Sequence, residues 1–81
     1  MFTTIFTYEP IERYVYEKLN ESRQCPYEMI DIYESQAFGV IQYVTTNCYK
    51  VQPELCKRLE KMWDDEWREM FYDIRLKMFR D

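Results

Sequence analysis

Residues 53–79 read PELCKRLEKMWDDEWREMFYDIRLKMF, with no glycine and no proline after Pro53. Strong helix formers dominate the stretch. Leu55, Cys56, Leu59, Met62, Trp63, Trp67, Met70, Ile74 and Met78 define a wide apolar arc at helical spacing. Glu54/Arg58, Asp64/Arg68 and Asp73/Lys77 place an acid four residues before a base, the favoured order on an exposed helix face. One long helix is expected here, roughly 40 Å from end to end.

The prolines mark where helices begin. Pro10, Pro26 and Pro53 are followed within two residues by Glu12, Glu28 and Glu54. A proline in the first turn gives up only an amide that has no intrahelical partner, and an acid there meets the positive end of the helix dipole. A first helix is therefore expected at about 10–22, with Ile11, Tyr14, Val15 and Leu19 on one face. Residues 1–8 read as an extended arm, with Phe2 and Ile5 or Phe6 available to pack.

The middle of the chain pulls two ways. Val40, Ile41, Tyr43, Val44, Thr45 and Thr46 favour strands, and Gly39 costs a helix about 1 kcal/mol against alanine. Yet Ile30, Tyr33, Ala37, Val40, Ile41, Val44 and Cys48 recur at three- and four-residue steps. Gln36, Gly39, Gln42, Tyr43, Thr46 and Asn47 take the opposite side. Periodicity decides for a helix at about 26–49, with a break near Ser35. The short link Lys50-Val51-Gln52 folds it back against the third helix as an antiparallel pair. The expected fold is mainly α, a single three-helix domain over 1–81. The alternative is a small α+β domain in which the N-terminal arm pairs with a strand near 38–46.

Composition limits the function. With 47% apolar and 19% aromatic residues in 81, the chain can bury one core. A charge of −4, from 15 acids and 11 bases, argues against a grip on phosphate backbones. Cys25, Cys48 and Cys56 form no Cys-x-x-Cys pair, and there is no histidine to complete a zinc site. Unpaired thiols suit a reducing compartment. The start Met1-Phe2-Thr3-Thr4-Ile5-Phe6 lacks the basic leader of a signal peptide, and no apolar run has the length of a membrane span. The cytoplasm is expected, or the host cytoplasm for a phage-encoded chain.

Catalytic signatures do not emerge. One glycine cannot build a phosphate-cradling loop, and without histidine the commonest general base and metal ligand is missing. Asp64-Asp65-Glu66 fan out around a helix at about 100° per residue, so their carboxylates do not converge on a cation. Cys25, just before a helix start, is the one thiol with a rationale for activation. No catalytic, cofactor-binding or metal-ligating residue is assigned, and no enzymatic activity is expected.

One surface feature exceeds the needs of a small bundle. Tyr72 and Leu76 lie four apart on the side away from the apolar arc, among Asp65, Arg68 and Glu69, and Phe71 widens the arc. These six residues are the expected partner-binding group. The competing explanation is that the first helix or the arm packs there. Tyr16 and Tyr43 are expected to face outward, where their rings suit recognition.

The expected function is a non-catalytic protein-binding module, such as an inhibitor or adaptor that a phage or mobile element directs at a host protein complex. Its partner would be another protein or a second copy of itself, with no direct contact to nucleic acid or membrane. One alternative is an acidic mimic of nucleic acid built on Glu60, Asp64, Glu66, Glu69 and Asp73, which Lys57, Lys61, Arg68 and Arg75 interrupt. Another is a helix-turn-helix nucleic-acid binder over 27–47, whose Gln36–Asn47 recognition segment has no Lys or Arg to anchor phosphates.

Overall fold

A computed structural model describes residues 5–80. Helix α1 spans Tyr8–Gln24, and a 3₁₀ turn over Tyr27–Met29 leads into α2, Ile30–Cys48. Helix α3, Pro53–Met62, continues through a π-helical turn at Trp63–Trp67 into α4, Arg68–Arg80. The last three segments make one long C-terminal rod, as expected. The described residues include no strand. Helices α1 and α2 pack side by side, and each also lies against the rod.

Helix α1 starts two residues before Pro10, which still falls in the first turn where its missing amide costs no helical bond. It ends at the extended Cys25, because a residue before proline disfavours the helical region. Ile11, Val15 and Leu19 are buried. Buried Ser22 is satisfied by donating its hydroxyl to the Lys18 carbonyl at 2.8 Å.

Residues 38–46 are helical, so the α+β alternative is not formed. Helix α2 also runs without the expected break at Ser35, which leaves no helix-turn-helix within 27–47. Its stripe of Ile30, Ala37, Ile41, Val44 and Cys48 is buried, and that burial outweighs the strand preference of its β-branched residues. The arm finds another partner. Ile5–Thr7 carry no regular structure, and the side-chain amide of Gln52, in the α2–α3 link, holds both backbone groups of Phe6. The Phe6 N–H donates to Gln52 Oε1 at 2.9 Å, and Gln52 Nε2 donates to the Phe6 carbonyl at 2.7 Å. Phe6 packs edge-on against Tyr43, with centroids 6.2 Å apart. The expected contact of Phe2 lies outside the described residues.

The π turn is the feature that uniform helical spacing misses. Leu59, Trp63, Trp67 and Phe71 follow one another at steps of four. At about 100° per residue, a plain α-helix would carry Phe71 about 120° around from Leu59. The wide turn takes up the excess, with the Arg68 N–H bonded to the Trp63 carbonyl five residues back. All four side chains are consequently buried along one line. Trp67 stacks with Tyr8 at 6.2 Å and meets Tyr16 edge-on at 6.4 Å.

Polar contacts fix the rod to its neighbours. Arg75 on α4 donates to Glu34 at 2.6 Å and to Asp31, both on α2. The hydrogen bond to Glu34, more than that to Asp31, holds its guanidinium more firmly protonated than usual, against the opposing effect of partial burial. Arg58, expected beside Glu54, lies instead 3.6 Å from the Tyr8 ring centroid as a cation–π contact.

Gly39 sits exposed in the interior of α2 with ordinary φ, and a Cβ there would meet nothing within 4 Å. The fold of a single chain therefore gives no reason for glycine. At low protein concentration, Gly39→Ala is expected to stabilise the protein by about 0.5–1 kcal/mol. Urea unfolding of the two proteins measures the difference, and a loss of stability would contradict this view of the site.

Candidate functional site

Helix α4 has two apolar sides. Trp67, Phe71 and Ile74 point into the core. Tyr72, Leu76 and Phe79 lie outside it, with 57%, 39% and 76% of their surface exposed. Neither α1 nor the described part of the arm is packed over them. The end of α1 lies at the other flank of α4, where Arg23 lines a hollow with Met70, Asp73, Ile74, Lys77 and Met78.

One member of the expected partner-binding group is corrected by the π turn. Phe71 is fully buried, with its ring centroid 6.0 Å from that of Trp63, and so presents nothing to a partner. Asp65 is exposed, as is its neighbour Asp64. Asp64, Arg68, Glu69 and Tyr72 line a common hollow of about 340 Å³. Tyr72, Leu76, Arg68 and Glu69 are on the surface as expected.

What sequence reasoning missed is how far this patch extends onto α2. Helix α2 runs antiparallel to α4, which brings its Phe38, and Tyr27 in the turn before it, to the same seam. At one end Phe38 leans on Trp63 with centroids 5.0 Å apart. Arg75 with Asp31 and Glu34 crosses the middle. At the other end Tyr27 meets Phe79 at 6.0 Å. Phe38, Trp63, Glu34, Ser35 and Arg68 enclose a second hollow of about 210 Å³. The seam is thus an apolar surface with Arg68, Glu69 and the Arg75 cluster on and around it, the make-up of a recognition patch. The long-range pairing of Tyr27 with Phe79 has no local sequence signal.

The thiols are built as core residues. Cys56 is fully buried and its thiol donates to the Val44 carbonyl at 3.8 Å. Burial pushes this thiol up from its ordinary value, and Cys48 and Glu60 add to the shift. A thiol that holds its proton is a poor nucleophile. Half-buried Cys25 donates to the Ser22 carbonyl at 3.5 Å. Among the described residues, no helix is long and apolar enough to cross a membrane, and no group of three or more Cys, Asp and Glu is gathered as a metal site.

Compared with protein-family models, with curated proteins and with solved structures, the chain finds no significant match.

The buried acids of the core set an alkaline limit to stability. In the unfolded chain the Cys56 thiol ionises around its ordinary 9.0, whereas the folded protein holds that proton to higher pH. Tyr8 behaves alike above 10.0, raised first by burial and then by Glu12. The unfolded state loses protons first, so stability is full below these values and falls as pH rises through them. The urea midpoint is expected to decline from about pH 9, and Cys56→Ala should delay that decline towards the tyrosine range. A midpoint that rises between pH 9 and 10 would contradict the assignment.

Proposed function

We propose that this protein is a non-catalytic binding module that docks another protein on the α2/α4 seam. The observation that carries the reading is the second apolar side of α4. Tyr72, Leu76 and Phe79 are exposed opposite a core already filled by Trp67, Phe71 and Ile74, and Phe38 of α2 and Tyr27 of the turn before it continue the surface. The fold of the single chain does not need those side chains to be apolar. Tyrosine and arginine, both present here, are among the residues that contribute most at protein interfaces.

The partner that fits is a protein with an apolar groove or ridge and polar groups at its edge. Such docking suits an inhibitor or adaptor, which acts by occupying a surface and needs no reacting groups. A nucleic-acid mimic would instead present an unbroken run of acids, and Arg68 and Arg75 interrupt this face.

Capture from lysate, followed by quantitative binding to the captured partner, tests the proposal. Binding should survive about 1 M salt, where the screening length is about 3 Å. Leu76→Asp and Phe79→Asp should each weaken it at least tenfold, about 1.4 kcal/mol, with the helical spectrum unchanged. Lys57→Glu, on the exposed face of α3, should leave it intact. Binding that disappears in salt and ignores Leu76→Asp would overturn the reading in favour of an electrostatic contact.

A further inference from the structure

Helix α2 has a free outer face of a different character from the seam. Ile32, Ser35, Gly39, Gln42 and Thr46 follow at alternating steps of three and four on the exposed side, with Tyr43 beside them. From Ser35 to Tyr49 no residue carries a charge. The exposed sides of the other helices are dense with charge, such as Glu9, Arg13, Glu17 and Glu21 on α1 and Lys57, Arg58, Glu60 and Lys61 on α3.

We propose that this face is the contact surface of a homodimer, in which two copies pack α2 against α2 and cross at Gly39. Three observations select a second copy as the occupant. The chain carries a charge of −4, so two copies repel wherever their acids face each other, and the α2 face is where they can meet without that cost. Its polar groups are amides and hydroxyls, which donate and accept equally, so the face is complementary to itself under a two-fold axis. The side chains of Gln36 and Gln42 make no hydrogen bond among the described residues, which leaves them available across such an axis.

Gly39 supplies a further argument. It weakens an exposed helix, and neither backbone angle nor crowding within the chain requires it. The space left by its missing side chain lets a second helix backbone come close. Beside it a groove of about 510 Å³ opens between α1 and α2, lined by Phe6, Pro10, Ile11, Tyr14, Val40 and Tyr43 among others. Tyr43 is 61% exposed, stands one turn from the crossing point and packs against Phe6 at the wall of this groove, so it lies within the proposed contact. The face borders the seam at Ser35, which lines the hollow beside Phe38, and from Gly39 to Thr46 it lies clear of it.

Sedimentation equilibrium of the full chain from about 1 μM to about 1 mM, the range in which modest interfaces associate, tests the dimer. The wild type is expected to pass from monomer to dimer within it. Gly39→Arg should raise the dissociation constant at least tenfold with the helical spectrum retained, and Thr46→Glu, at an exposed position of the same face, should do the same. Thr46→Glu decides the matter should Gly39→Arg disturb the fold. Leu76→Asp should leave the dimer intact, which separates this surface from the seam. A wild type monomeric at about 1 mM, a dimer indifferent to Thr46→Glu, or one dissolved by Leu76→Asp overturns the proposal.

Discussion

The alignment of Leu59, Trp63, Trp67 and Phe71 along the buried side of the rod is the constraint from which the remaining structure follows. Four residues per turn cannot stay on one face of a plain α-helix, so the backbone widens by one residue at Trp63–Trp67. The line then meets both other helices. Tyr8 and Tyr16 of α1 pack on Trp67, and Phe38 of α2 packs on Trp63. A plain α-helix over the same residues would rotate α4 by about 100° relative to α3. Arg75 would leave Asp31 and Glu34, and the outer side of α4 would turn towards the core. The turn has a local cost, since π geometry is rarely adopted. Trp67 Nε1 is also buried without a hydrogen-bond partner among the described residues, a penalty of about 1–3 kcal/mol. Packing of its large ring between two tyrosines offsets that penalty.

The same register decides what the molecule shows to solvent. Once Trp67, Phe71 and Ile74 fill the core, Tyr72, Leu76 and Phe79 have nowhere to go but outward, where Tyr27 and Phe38 join them. Helix α2 divides its circumference in three. One stripe is buried, one flank carries Phe38 to the seam, and the outer side is uncharged. Surfaces of such different chemistry on one short chain suit two kinds of contact, one apolar and one polar but neutral.

Much of the fold was legible because local signals agreed. Proline followed by glutamate located the helix starts to within a few residues, and the apolar stripe of α2 outweighed its β-branched residues because burial, not propensity, decides such a segment. The π turn was also written in the sequence, as three consecutive steps of four between Leu59 and Phe71. Treating the rod as a uniform helix hid it, and that assumption put Phe71 in the partner-binding group. Tyr72, Leu76, Arg68 and Glu69 were found because they sit within one helix. The contributions of Tyr27 and Phe38, and the partners of Arg75 more than forty residues away, depend on how helices pair, which no local pattern encodes.

Deletion of Asp65 tests the role of the widened turn most directly. Asp65 is exposed and its side chain is not part of the core; without it Leu59 and Phe71 stand one residue nearer, and a plain α-helix brings them to within about 20° of each other. Urea unfolding of the deletion variant is expected to show stability at least equal to the parent's, with tryptophan fluorescence unshifted, because a plain helix then keeps all four side chains in the core. A loss of about 3–5 kcal/mol, the cost of withdrawing a large aromatic side chain from a core, would show that the turn does not serve to take up the extra residue and would contradict the account.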